Sequence, residues 1–282
     1  MEYSLLNLPH IFRSSWHGEI EDFINWIEPC GLVYLKTLKN SGVDISKITA
    51  PPKVVDYLNI IQGASSGVGR SYIPYRNFSH QTNINTIAHE ITVQIVDHLE
   101  LDPYDKEDFK LYINYAVSEV MQNVLDHSWS LCGGHVVGQS YPQKGKVQFA
   151  VSDCGVGLMA TLQREYGVAN EGEAILKALE PRVSGSEPIG PYGEKRNAGI
   201  GLFALKCIID ETEGTLLIIS NDTIYQRKNK QGTFVHTPNS RFRGTLVAFE
   251  FGENETEYYF EEFKKIFIWS AVNGTGEEEE FF

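Results

Sequence analysis

From Asn83 onward the apolar residues recur with a helical period. In NINTIAHEITVQIVDHLEL, Ile84, Ile87, Ala88, Ile91, Ile95 and Leu99 fall on one helix face. A longer helix is predicted across DPYDKEDFKLYINYAVSEVMQNVLDHS, with apolar Phe109, Ile113, Ala116, Val117, Val120, Val124 and Leu125. The pattern then turns β-like: GGHVVGQSYPQKGKVQFAVSDCG holds two strand-like runs joined by PQKG, a hairpin. ANEGEAILKALEPRVSG predicts a short helix, and GLFALKCIIDETEG a helix closed by Gly214. TLLIISND, IYQRKN, GTFVHT and RGTLVAFEF read as strands of a meander. NETEYYFEEFKKIFIWSAV is an amphipathic helix, followed by the tail NGTGEEEEFF.

The first 82 residues are patterned differently. GLVYLKTL (31–38) reads as a short strand, and PPKVVDYLNIIQG (51–63) as a helix opened by proline and closed by glycine. GASSGVGRSYIPYRNFSHQTN is a Gly- and Ser-rich loop. The expected organisation is a small N-terminal α/β lobe over 1–82, a larger domain over 83–252, and a C-terminal helix with an acidic tail over 253–282.

Composition narrows the partners. A formal net charge of −13 argues against a nucleic-acid or anionic-membrane surface. No apolar run approaches the length that spans a bilayer, and the N-terminus meets charge and proline too early for a signal peptide, so a cytoplasmic location is expected. Cys30, Cys132, Cys154 and Cys207 are far apart and form no C-x-x-C pair. That spacing suits reduced cytosolic thiols better than disulfides or a zinc site.

Three short stretches carry the chemistry. Glu119 and Asn123 are four residues apart, so a helix projects both from one face, and His127 continues the stripe. A carboxylate and an amide oxygen so placed suit the orientation of a water and the holding of hydrated Mg2+, although a polar stripe is also what any solvated helix face shows. In DCGVGLM, Asp153 ends a strand and Gly155 and Gly157 bracket Val156. An aspartate there suits an adenine amino group, with glycines admitting the base, but standing alone the stretch reads first as a plain turn. In NAGIGLFALKCII, Gly199 and Gly201 open a helix, where free N–H groups and the helix dipole favour phosphate. The Gly/Pro-rich loop before it carries Lys195 and Arg196, placed either to pair with phosphates or to face solvent.

In combination, Glu119-x-x-x-Asn123, Asp153-x-Gly155-x-Gly157 and Gly199-x-Gly201-Leu202, with Gly244–Thr245 on a late strand, resemble the N, G1 and G2 boxes of the GHKL (histidine kinase-like) ATPases. The resemblance covers about residues 84 to 252, and within the superfamily the layout is most similar to stand-alone serine kinases of the anti-sigma type. It implies an α+β fold: a two-layer α/β sandwich with a mixed, mostly antiparallel sheet, helices on one face, and ATP between the layers under a lid. It also implies residue roles. Asn123 would coordinate Mg2+, Asp153 would read adenine with Gly155 and Gly157 beside it, and Gly199 and Gly201 would face phosphate, with Leu202 also in the nucleotide site. Thr245 would support Asp153 through water, Lys195 and Arg196 would come from the lid, and Glu119 would be the general base if ATP is hydrolysed.

Two other motifs fail on context. GASSGVG (63–69) has the glycine spacing of a dehydrogenase nucleotide turn, but a helix-like segment precedes it and no tyrosine has a lysine four positions later. His89–Glu90 stands too close to Glu119 to leave room for a helical-hairpin phosphotransfer domain, and Val93 breaks an H-E-x-x-H zinc pair. The resulting functional expectation is a regulatory ATPase or ATP-dependent serine/threonine protein kinase that controls a partner protein according to nucleotide state. The alternatives are a dimerising, ATP-hydrolysing clamp, which brings in a homodimer, and a nucleotide-binding module with little turnover.

Overall fold

The computed structural model describes residues 1–14, 22–61, 71–73, 75–184, 199–238, 240–252 and 257–273. The protein is an α+β fold built on one antiparallel sheet. In chain order the strands are β1 (Glu2–Tyr3), β2 (Trp26–Ile27), β3 (Arg76–Phe78), β4 (Gly134–Tyr141), β5 (Lys146–Asp153), β6 (Thr215–Ser220), β7 (Thr223–Lys228), β8 (Gln231–His236) and β9 (Thr245–Gly252). The helices are α1 (Leu8–Ser14), α2 (Pro29–Asn40), α3 (Pro52–Ile61), α4 (Ile84–Val96), α5 (Pro103–His127), α6 (Leu158–Tyr166), α7 (Glu171–Ala178), α8 (Gly201–Glu211), α9 (Phe260–Phe263) and α10 (Ser270–Asn273). A π-helical turn, Lys264–Trp269, joins the last two.

Seven strands pair in the order β3-β4-β5-β9-β6-β7-β8, every ladder antiparallel, and β1 pairs with β2 apart from them. Two expectations are corrected here. The sheet is not mixed, and its last strands are not a simple meander, because β9 inserts between β5 and β6. The insertion puts Leu246 opposite both Ser152 and Ile219, so the last of the described strands closes the centre of the sheet.

Alternation along the central strands sends apolar side chains to both faces. On one face, Val147, Phe149, Val151, Leu216, Ile218, Val247 and Phe249 pack with α4, α5 and α8. On the other, Val137, Ala150, Leu217, Ile219, Leu246 and Ala248 join a second cluster with Val33, Tyr34, Leu38 and Phe242. Nearly every residue of β5, β6 and β9 is buried, as expected of strands covered on both sides. The expected arrangement of helices on one face is therefore corrected: α2 covers the back of β4, β5 and β9.

That cover is built from the segment GLVYLKTL, read above as a strand. It is part of α2, which starts at Pro29 with the proline at its first position. Its residues are buried almost all round, so its hydrophobic run has no helical period to read, and a short apolar run does not separate a strand from a buried helix. Thr37 donates from its hydroxyl to Ser152 Oγ at 3.0 Å across this interface, and Tyr34 stacks on Phe242 at 5.7 Å between centroids.

The long helix α5 follows its sequence signals. Asp102 caps it, accepting from the backbone N–H groups of Tyr104 and Asp105, and Pro103 fills the first turn. Its apolar stripe faces the sheet and α4. The C-terminal helix also packs against α5: Tyr112 donates to the Tyr258 carbonyl at 2.7 Å, and its ring meets Phe260 and Phe263. Among the described residues, no helix is long and apolar enough to cross a membrane.

The reading of the cysteines as separate is corrected for two of them. The β4–β5 ladder pairs Gly134 with Asp153, which brings Cys132 and Cys154 to the same end of the hairpin, with His135 beside them.

Candidate functional site

One cavity lies between the helix layer and the sheet. Glu119, Asn123 and His127 line it from α5, Asp153 and Thr245 from strand ends, Gly157 and Leu158 from the turn into α6, and Gly199, Gly201 and Leu202 from the start of α8. Residues as far apart in the chain as Tyr115 and Val247 thus share one space. Gly155 is outside the lining. Its N–H donates to Asp153 Oδ1 at 2.7 Å, and a Cβ there would run into the Ser128 carbonyl. Lys195 and Arg196 lie outside the described residues.

Asp153 is almost fully buried at the end of β5. Burial pushes its carboxyl up to about 7, against the opposing pull of hydrogen bonds from the Gly155 N–H and from Thr245. Both backbone bonds go to Oδ1, the Thr245 N–H at 3.3 Å. Gly244, with φ +100°, brings the start of β9 close enough for the Thr245 bond, and a Cβ at that position would strike the Asp153 carbonyl. A carboxyl anchored through one oxygen is a fixed hydrogen-bonding group at the cavity wall.

Glu119 faces the opposite wall. Burial pushes it up to about 7, and the neighbouring Asp126 carboxylate adds to the shift. At that value a carboxyl is half ionised at neutral pH, the poise a general base needs. Gly201 explains how tightly α8 meets α5: a Cβ there would stand 2.5 Å from Glu119 Oε2 and 3.3 Å from Asn123 Nδ2. The first turn of α8 therefore lies directly against these two side chains. Ile200 caps the helix with no side-chain hydrogen bond. His127, one turn beyond Asn123, is held below its ordinary value by burial and is neutral at pH 7.

A buried network sets the turn between β5 and α6. Glu171 Oε2 accepts from Ser220 Oγ at 2.6 Å and from the Met159 N–H at 3.0 Å, and its Oε1 accepts from Asn221 Nδ2 at 2.6 Å. Asn221 also donates to the Val156 carbonyl and accepts from the Gly244 N–H. Gly157, with φ +82°, fits beneath Asn221, where no side chain has room. Sequence reasoning missed Glu171, Ser220 and Asn221. Glu171 sits among charges at a helix start and reads as solvated, and only the alignment of β6 beside β9 shows what it grips.

Chemically, the cavity offers an anchored acid, a carboxyl and an amide on one helix face, and a glycine-opened helix start against that face. Its apolar wall comes from Val120, Val124, Val151, Leu162 and Val247. Such a mix of apolar surface and a few convergent polar groups is typical of small-molecule sites. The chain matches no protein-family model and no curated protein.

Proposed function

We propose that this cavity binds Mg-ATP in the manner of a GHKL domain and that the protein is a regulatory ATPase or protein kinase acting on a partner according to nucleotide state. The observation that carries the reading is the convergence of Asn123, Asp153 and Gly201 on one cavity from three separate elements. Asp153, flanked by Val151 and Val247, suits the amino edge of a purine against an apolar wall. The start of α8 suits phosphate oxygens, which helix N–H groups and dipole both favour.

The donor set fits a magnesium ion. The Asn123 side-chain amide stands next to the α8 start, its Nδ2 nearest Gly201, and a turn of the amide would present its oxygen there; the bareness of Gly201 keeps side-chain bulk out of the space between them. Mg2+ holds few protein ligands and several waters, so one amide oxygen plus phosphates is sufficient. When bound, it would neutralise phosphate charge. Glu119, half ionised and half-buried, would accept a proton from an attacking water or from a partner hydroxyl.

Calorimetric titration of the full chain with ATP in excess Mg2+ tests the site. Asn123→Ala and Asp153→Asn should each lose most ATP affinity while keeping the wild-type circular dichroism spectrum. Unchanged affinity in both variants would remove the assignment. Labelled ATP with candidate partners separates transfer to protein from release of free phosphate.

A further inference from the structure

We propose that Cys132, His135 and Cys154 form a zinc-binding site at the end of the β4–β5 hairpin, with two thiolates and one imidazole as protein ligands. Their ligand atoms all lie within 4.8 Å of one another. Zinc–sulfur and zinc–nitrogen bonds of about 2.3 and 2.0 Å put tetrahedral ligands roughly 3.5–3.8 Å apart, so the three converge by about 1 Å on binding. Cys132 is exposed and Cys154 half-buried, which leaves both side chains room to turn and the ion a way in.

The hydrogen bonds around His135 already select the ligating form. His135 Nδ1 lies 2.7 Å from Asn77 Oδ1, and a carbonyl oxygen only accepts, so the ring proton sits on Nδ1. Nε2 is left with a bare lone pair. An imidazole oriented by an outer carbonyl in this way is the usual arrangement behind a zinc-bound histidine. The Tyr75 ring, stacked on the imidazole at 5.1 Å, further fixes its plane.

The lone pairs also converge. Asn40 Nδ2 stands 3.1 Å from His135 Nε2 and 3.3 Å from Cys154 Sγ, so one donor bridges both. A cation at that point would replace the amide, and Asn40, at the exposed end of α2, is free to swing aside. Ser130 Oγ lies 3.1 Å from Cys132 Sγ, and its hydroxyl proton, given to the Gly133 carbonyl at 2.8 Å, would have to turn to the sulfur to support a thiolate. Sulfur and imidazole donors without carboxylates favour zinc over magnesium or calcium. Three protein ligands leave the fourth position to water. The site lies outside the cavity lined by Asn123 and Gly201, and its existence does not depend on the nucleotide reading.

Cobalt(II) substitutes for zinc and reports its ligands by colour. The full chain, reduced and stripped of metal by chelator, should take up one cobalt ion. The expected spectrum has an intense thiolate-to-cobalt charge-transfer band and the visible bands of a tetrahedral site, and equimolar zinc should bleach both. Cys154→Ser and His135→Gln should each weaken cobalt binding at least 100-fold, and Asn77→Ala by about 10–100-fold through loss of the outer hydrogen bond. Asn40→Ala should bind at least as tightly as wild type, since it removes only the competing donor. Thermal melts confirm that each variant is folded. Absence of the charge-transfer band in the reduced wild-type protein would overturn the proposal. So would a Cys132–Cys154 disulfide as the sole chemistry, seen as loss of two titratable thiols in air with no metal uptake by the reduced chain.

Discussion

Asp153 and Glu119 each hold a carboxyl proton more tightly in the folded chain than in the unfolded one, and the consequences differ for stability and for chemistry. Both are pushed up to about 7 chiefly by burial. A raised carboxyl stabilises the fold when protonated, and that contribution is lost as pH rises through the folded value. Asp153→Asn keeps an oxygen for the Gly155 and Thr245 N–H groups and removes the buried charge. Its melting temperature should therefore exceed wild type at pH 8 and match it more closely at pH 5, while ATP binding falls. The shift at pH 8 should be at least about 2 °C, the lower end of what 1 kcal/mol moves in a domain of this size. Equal melting curves at pH 8 would mean that Asp153 carries no burial penalty. As the general base proposed above, Glu119 would act in the opposite direction on turnover, because a base works only when ionised. The kcat/KM for ATP hydrolysis in excess Mg2+ should rise with pH to a plateau with its midpoint near 7. Glu119→Gln should lower turnover by about 10²–10⁴ and abolish that dependence. A pH profile unchanged by the substitution would move the base elsewhere.

At the scale of elements, the decisive junction is the start of α8 against α5. Gly201→Ala adds a methyl that meets Glu119 Oε2 at 2.5 Å. The carboxylate is the end of a flexible side chain, so the fold can yield, and alanine favours helix over glycine by up to about 1 kcal/mol. The expected result is a melting temperature within a few degrees of wild type, with ATP affinity or turnover reduced at least tenfold. Loss of folding instead would place Gly201 in the core rather than in the site. The elements around this junction were legible in the sequence because capping and period agreed. Asp102–Pro103 and the stripe from Phe109 to Val124 specify α5, and the β4–β5 hairpin turns at the segment PQKG. Other features were hidden for physical reasons. The run from Gly31 to Leu38 is buried on nearly all sides and mostly apolar, so period could not identify α2. Glu171 is indistinguishable from a solvated charge until β6 and the turn after β5 close around it. Cys132 and Cys154 are separated by a whole hairpin in the chain and meet only through its register.

For the molecule as a whole, the back face of the sheet decides whether the region 83–252 stands alone. Ala150, Leu217, Ile219, Leu246 and Ala248 are fully buried there, and their cover comes largely from Val33, Tyr34, Leu38 and other residues before position 62. Exposed together they would form a continuous apolar patch of the kind that soluble monomers rarely show. The same cover reaches the site, since Thr37 bonds to Ser152, the residue before Asp153. Expressed without residues 1–82, the remaining chain should be insoluble or oligomeric and should bind a hydrophobic dye strongly. A milder change separates cover from composition: Val33→Asp in the full chain places a charge in a fully buried position, with a cost of several kcal/mol unless the lobe detaches. Detachment should appear as dye binding and faster amide exchange in β5 and β9, with the packing of α5 on the opposite face less affected. A truncated chain that is monomeric, melts cooperatively and binds ATP as the full chain does would show that the first 82 residues serve another purpose. In that case the apolar back face would have to be covered by some other element of the chain, and exchange rates along β5 and β9 would identify it.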